Sequence, residues 1–386
     1  MKKIIIVNNN LKTGGVQISL LNLLKEIHGL YDVTLLLFSA DPEELKLIPE
    51  NVKVIVDKSP FSNFGISFAE SKHSFKSLIS RTFWTIITKI FGRSFAIRLM
   101  SPFTKTYEGY DCAISYLHEG SQKSVHGGCN EFVLKKIKAK KKITWLHCDF
   151  GLCGANHKKN IAIYHGFDTI VACSQGTKNA FVSCVPDLES KCVVIRNCND
   201  YAAIQRLSQP AAAYPQNTFN IVTVARLSPE KGIDRMLRAL SVAKSEGHRV
   251  TYHVVGMGRE YDTLKQLADT LSLSENVVFH GNQTNPYPYI AAADLFVLPS
   301  YHEAAPMVFD EAASLGIPVL ATETTSAHEM ITKEHAGFVC PNSQEGIAEA
   351  LLSILREPAS LKTVSERLKA REFHNQKSIS TILNTF

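Results

Sequence analysis

Several signatures are missing from this chain, and each absence closes off a class of protein. Its nine cysteines are odd in number and scattered, with no Cys-x-x-Cys pair and no Cys/His cluster at zinc spacing; Cys148 and Cys153 are merely close. That usage fits a reducing compartment rather than a disulfide framework. There is no Gly-x-Gly-x-x-Gly fingerprint and no Walker loop. No Asp-x-Asp pair occurs either, which argues against a required divalent metal. The start, Met1-Lys2-Lys3-Ile4, resembles a signal peptide only until Val7, after which Asn8-Asn9-Asn10 follows, so a buried first strand is expected instead. The richest apolar region is broken by Arg81, Lys89 and Arg93, too often for a span of about 20 apolar residues.

What remains is an ordinary globular composition, 45% hydrophobic and 20% charged over 386 residues, enough for two α/β domains with separate cores. Charge is unevenly shared. Residues 1–200 hold 26 Lys and Arg against 17 Asp and Glu, a balance of +9 that leaves −3 for residues 201–386. Between Ser71 and Lys105 there are seven basic residues and no acidic one, interleaved with Phe75, Phe83, Trp84, Ile86, Ile87, Ile90, Phe91, Phe95 and Ile97. The pattern fits a basic amphipathic helix in a membrane interface, and equally a core-packing helix with a solvated basic face. The six lysines of 135–142 read as a solvated helix end. The basic residues form no recognised nucleic-acid module, so nucleic acid is not an expected partner.

Strand-like and helix-like segments alternate through both halves, the doubly wound α/β pattern. The polar, Pro/Ala-rich stretch 200–217 reads as the linker between a domain of residues 1–205 and one of residues 206–371. The second series culminates in 293–322, where an apolar strand (Leu295 to Leu298) is followed by a loop with Glu303. Pro306 and Gly316 punctuate the helix that comes next, and a second strand (Val319 to Ala321) closes the unit. Connections this short imply parallel strands, with Glu303 and Glu311 placed around one helix N-terminus at the end of the sheet where ligands bind. Two carboxylates so placed suit a polyhydroxylated ligand.

Other strand ends carry related features. Gly14 and Gly15, in Lys12-Thr13-Gly14-Gly15, lie between the first strand and first helix, where backbone N–H groups can meet phosphate or sugar oxygens, although a Gly-Gly turn could serve only to start the helix. Arg226 and Lys231, in Arg226-Leu227-Ser228-Pro229-Glu230-Lys231-Gly232, follow the first strand of the second domain, and such a pair can neutralise a diphosphate without a metal. Gly256 and Gly258 repeat the strand-then-glycine device. His147 ends the apolar strand Trp145-Leu146-His147; a lone histidine is usually structural, and position is what singles this one out.

In this order the motifs resemble retaining glycosyltransferases of family 4, most strongly from Asn220 to Gly337 and least across 59–106. The resemblance implies a GT-B fold: two Rossmann-like doubly wound domains facing a cleft, the first binding the acceptor and the second the donor. A C-terminal tail, 372–386, would cross back to the first domain, with Ile379, Ile382, Leu383 and Phe386 as its docking face. By the same resemblance Arg226 and Lys231 hold the donor diphosphate, Glu311 accepts hydrogen bonds from the ribose hydroxyls, and Glu303 contacts the transferred sugar. Gly14 and Gly15 close over the donor and His147 faces the sugar. Gly256 lies on the donor side, Gly281 lies by the base, and Ala305, Met307 and Val308 offer backbone N–H groups. Two departures stand out: Cys198 occupies a position where the family often has glycine, and the family's His-Asp dipeptide is interrupted by Cys148.

The implied substrates are a nucleotide diphosphate sugar, a UDP-sugar in preference to a GDP-sugar, and a saccharide or lipid-linked saccharide acceptor. No cofactor or metal is implied. The implied setting is the cytoplasmic, inner face of a bacterial plasma membrane, reached peripherally through 71–105, in surface-polysaccharide assembly. The rival expectations are a sugar-nucleotide epimerase of the same fold, and a non-enzymatic membrane- or anion-binding protein.

Overall fold

In the computed structural model every residue except Thr13 is described, and the chain divides into two compact units, 1–198 with 375–386, and 199–374. The first unit is built on seven parallel strands: β1 (Lys3–Asn8), β2 (Asp32–Leu37), β3 (Lys53–Val56), β4 (Tyr107–Ser115), β5 (Ile137–Leu146), β6 (Thr169–Ala172) and β7 (Cys192–Val194). Their order is β3-β2-β1-β4-β5-β6-β7. The second unit has six: β8 (Phe219–Val224), β9 (Val250–Val255), β10 (Val277–Gly281), β11 (Leu295–Leu298), β12 (Val319–Thr322) and β13 (Gly337–Cys340), ordered β10-β9-β8-β11-β12-β13 and again parallel.

Both faces of each sheet are covered by helices, and the strands are therefore near-continuous apolar runs. Successive side chains point to opposite faces, so Ile4 and Ile6 of β1 enter one core while Ile5 and Val7 enter another. In the second unit Ile221, Val254 and Leu295 share one core, and Val222, Val255 and Phe296 share the other. Strand order reverses between β1 and β4, and between β8 and β11. In open α/β sheets ligands bind at such switch points, beyond the carboxyl ends of the strands.

The tail helix Gln376–Thr385 joins the first unit. Ile382 and Phe386 are buried in the core with β1, and the Phe386 ring lies 5.8 Å from Tyr31 and 6.0 Å from Trp145. Lys2 and Lys141 donate to the carbonyls of Phe386 and Thr385, at 2.8 and 2.6 Å, satisfying acceptors that a helix end leaves open.

Three expectations need correction. The lysines of 135–142 are not a solvated helix end: the helix Cys129–Lys136 stops at the second of them and the rest run along β5. There Lys138 and Lys140 pair with Glu108 and Asp111 of the neighbouring β4, both at 2.7 Å. The basic segment 71–105 is two helices, Phe75–Phe91 and Arg93–Met100, because Gly92 between them has φ of 90°, which a side chain would resist. Nor does 200–217 run between the two units, since the second begins at residue 199. It contains the helix Tyr201–Leu207, and Tyr214 is buried with its ring stacked on His253 at 3.6 Å between centroids.

Candidate active site

The switch point of the second unit gathers most of the charged residues singled out above. β8 leads through Ala225 and Arg226 into the short turn Pro229–Lys231, and the helix Ile233–Ser245 begins after Gly232. β11 leads through Pro299 and Ser300 to Glu303, and the helix Met307–Ser314 begins after Pro306. β8 and β11 are hydrogen-bonded neighbours, so residues 72 apart in sequence meet: Lys231 Nζ lies 2.6 Å from Glu303 Oε1. Ser300 Oγ donates to the same carboxylate oxygen at 2.7 Å. Both members of the pair are largely shielded from water, which makes their attraction stronger than at an open surface.

Arg226 is placed differently. Its side chain is exposed and its guanidinium pairs with Glu230 at 2.9 Å. Burial alone would raise the Glu230 carboxyl, but hydrogen bonds from Ser228 and Arg226 overcome it and hold the group at about 2. Arg226 is thus swung onto its own turn, with a partner it can exchange cheaply because exposed pairs contribute little.

Glu311 is 8% exposed and its carboxyl has no hydrogen-bond partner among the described residues. Burial, reinforced by neighbouring Asp310, pushes it up to about 7. A carboxyl left without donors in a shielded position is a ready acceptor for ligand hydroxyls. On the same helix, Met307 and Val308 stand in the first turn, where N–H groups have no intrahelical acceptor. Ala305 immediately precedes Pro306 on the loop.

Gly256 has φ of 138°, and a Cβ there would overlap the carbonyl of Ala225. The close approach is thus to the turn carrying Arg226: Ala225 N–H donates to Val255 and Leu227 N–H to Met257, at 3.0 and 3.1 Å. Gly281 closes β10 and its carbonyl receives the Gly256 N–H at 2.8 Å. These two glycines hold adjacent strand-end turns in register behind the charged residues.

Gly14, Gly15 and His147 belong to the first unit. Gly14 caps the helix Gly15–Ile27 without a side-chain hydrogen bond, and its neighbour Thr13 lies outside the described residues. His147 follows β5, its ring 4.8 Å from that of Tyr116. Burial, then the nearby His118, lowers it to about 3, so its imidazole is neutral at neutral pH, and Nε2 has no hydrogen-bond partner among the described residues. Burial and Arg93 likewise lower His118 to about 4.

Sequence reasoning missed three supporting residues. Ser300 holds Glu303. Arg235 is buried, its guanidinium 3.7 Å from the Tyr301 ring centroid, and it donates to the Pro299 carbonyl and, at 2.8 Å, to Asn342 Oδ1. Asn342 donates in turn to the carbonyls of Tyr301 and Glu323. Together they fix the Pro299–Glu303 loop. Only Ser300, three residues before Glu303, carried a local signal.

Two parallel, doubly wound Rossmann-like units, with charged residues at the carboxyl ends of the strands, define a GT-B architecture. Residues 206–371 match the family model described as glycosyl transferases group 1. The chain is 32% identical over 158 residues to the lipopolysaccharide core biosynthesis glycosyltransferase LpsD of Rhizobium meliloti, covering 40% of this chain and 43% of that one. It is 35% identical over 130 residues to the lipopolysaccharide glucosyltransferase WaaG of Escherichia coli, covering 33% and 34%. With the capsular polysaccharide biosynthesis glycosyltransferase CapM of Staphylococcus aureus it shares 23% over 245 residues, 59% and 64% of the two chains. The matched stretch thus spans less than two thirds of each of these relatives. Among solved structures, Anabaena HepE in complex with UDP-glucose superposes with a TM-score of 0.70 at 20% identity, covering 100% of this chain and 99% of that one. WaaG gives 0.59 at 16% identity, covering 95% and 94%. The fold is that of GT-B glycosyltransferases, and within the second unit residues 206–371 are similar to glycosyl transferases group 1, as found in enzymes of bacterial polysaccharide and lipopolysaccharide biosynthesis.

Among the described residues, no helix is long and apolar enough to cross a membrane.

Proposed function

We propose that this protein is a retaining glycosyltransferase that moves a hexose from a nucleotide diphosphate sugar to a lipid-linked saccharide in bacterial surface-polysaccharide assembly. The observation that carries the reading is the β8/β11 switch point, where Lys231 and Glu303 meet at 2.6 Å and Glu311, whose carboxyl has no hydrogen bond among the described residues, sits on the following helix. In this reading Lys231 and Arg226 neutralise the donor diphosphate, and Glu311 receives the ribose hydroxyls. Glu303, steadied by Ser300, receives hydroxyls of the sugar. UDP is the favoured nucleotide, because HepE is known in complex with UDP and with UDP-glucose.

Glu303 is assigned to hydroxyl binding, which leaves no carboxylate nucleophile for a double displacement. Retention then proceeds by front-face attack: the bond to the diphosphate breaks first, an oxocarbenium-like ion forms, and the departing phosphate takes the acceptor's proton. Catalysis is chiefly electrostatic, from cations and helix N-termini directed at the charge developing on the diphosphate. The two cations do this without a metal ion. A screen of nucleotide sugars by thermal unfolding tests the donor: a true donor at a hundredfold excess over its Kd adds about 2.7 kcal/mol to apparent stability. No shift with any UDP- or GDP-sugar would remove the reading, and donor-only conversion to an isomer would replace it by epimerisation.

The lipid-linked acceptor is supported by the helix Phe75–Phe91. Phe75, Ile79, Phe83, Ile86 and Ile90 are all at least half exposed and recur at helical spacing, so they form one apolar stripe. Lys72, Lys76, Lys89, Arg98 and Lys105 are exposed in the same segment, where no acidic residue offsets them, so an anionic bilayer is the complementary surface. Arg81 and Arg93 are buried and do not contribute. The first unit is therefore proposed to lie peripherally on the inner leaflet. Binding to phosphatidylglycerol liposomes should weaken with salt and be lost in the triple variant Ile79→Ser, Phe83→Ser, Ile86→Ser without change in Tm. Retained binding by that variant counts against the membrane role.

A further inference from the structure

Directly after His147, β5 runs into a tight turn that brings together two cysteines. Asp149 Oδ1 accepts from the N–H groups of Gly151 and Leu152, both at 3.1 Å, and the Asp149 carbonyl accepts from the N–H of Cys153 at 3.0 Å. The turn folds residue 153 back onto residue 148, so that the two Sγ atoms lie 3.0 Å apart with one hydrogen between them. That is only about 1 Å longer than a disulfide bond. Cys148 is buried and Cys153 half-buried, so Cys153 is the more accessible of the two residues.

We propose that Cys148 and Cys153 form a reversible dithiol–disulfide site, closed by a low-molecular-weight disulfide. This goes beyond sugar transfer and does not depend on it. The Cys153 thiolate attacks one sulfur of the reagent, forming a mixed disulfide and expelling one thiolate. Cys148 then gives up its proton and attacks the Cys153 sulfur, forming the Cys148–Cys153 bond and expelling the second thiolate. Two cysteine thiols lose two protons and two electrons, and one external disulfide becomes two thiols. The polarity of the pair favours this order. The shared hydrogen holds Cys153 below the ordinary thiol range, whereas the same contact, followed by burial, pushes Cys148 well up. The product locks the turn that follows His147.

The remaining cysteines provide an internal control, since Cys112, Cys129, Cys173, Cys192, Cys198 and Cys340 are buried and Cys184 is half-buried. Trypsin releases 143–158 as one fragment in which Cys148 and Cys153 are the only thiols. The full-length folded protein is treated with oxidised glutathione at neutral pH, alkylated and digested. The expected fragment carries no alkyl group, is lighter by two hydrogens, and regains both alkylatable thiols after dithiothreitol. In Cys148→Ser, glutathione should remain attached to Cys153, because nothing displaces it. The proposal is overturned if both thiols of the wild type are alkylated after oxidation, if wild-type Cys153 keeps glutathione without closing, or if Cys153 is joined instead to Cys184, which neighbours Gly151. An unmodified Cys153 in Cys148→Ser, with its Tm unchanged, would overturn its role as the attacking thiol.

Discussion

Lys231→Ala and Arg226→Ala are each expected to slow sugar transfer by roughly a hundredfold or more, as when a charge-stabilising group is removed from a transition state. The two variants separate chemistry from folding because their surroundings differ. Lys231 is shielded and paired with Glu303, so its removal leaves a shielded carboxylate without its cation, still accepting from Ser300, and some stability is lost with the activity. Arg226 is exposed and its guanidinium pairs with the partly exposed Glu230, so Arg226→Ala should leave Tm almost unchanged. A large fall in kcat with an intact Tm in Arg226→Ala would be difficult to attribute to misfolding. Near-wild-type transfer in both variants would remove the diphosphate role from this pair of residues.

Glu311→Gln is expected to separate stability and donor binding in opposite directions. Native Glu311 keeps its proton up to about pH 7, whereas the unfolded chain releases it near its ordinary value of 4.5. The unfolded state therefore binds fewer protons between those values, and stability falls as pH rises from about 4.5 to 7, then levels off. The accumulated loss is on the order of 3.5 kcal/mol. Glutamine does not ionise, so the variant should match the wild type near pH 4 and exceed it at pH 8. Donor affinity should move the other way. Ligand hydroxyls favour the ionised carboxylate, so wild-type affinity rises with pH up to about 7, and the variant loses roughly 1.5–3 kcal/mol of binding together with that pH dependence. Unfolding curves and donor titrations from pH 4 to 8 measure both. Parallel pH profiles for the two proteins would show that Glu311 neither titrates in this range nor meets the ligand.

What could be read from the chain alone was whatever is coded locally. The strand–helix–strand run around Glu303 and Glu311 was legible because Pro306 and Gly316 mark the helix limits within a few residues of the apolar strands. The Lys231–Glu303 contact was not, since it depends on β11 lying beside β8 rather than beside β10, a choice made by the whole sheet. The lysines of β5 misled for the same reason. Six basic residues in eight look like a helix end, yet four of them lie on β5, where Lys138 and Lys140 stay exposed and pair with Glu108 and Asp111 of β4. Arg93 was counted as part of a basic surface, yet it is fully buried against Glu119, a partner 26 positions further along. Tyr214 gave no signal within a Pro/Ala-rich stretch, because stacking on His253 is a property of the folded second unit.

The placement of the tail helix has a consequence for synthesis. Ile382 and Phe386 belong to the same core as β1, so the first unit lacks part of its interior until residues 375–386 have been made. Residues 199–374 form an uninterrupted segment and are complete earlier. Multidomain chains generally fold their N-terminal domain first as they emerge from the ribosome. Here the later-encoded unit has all of its residues before the earlier-encoded one has received its tail helix.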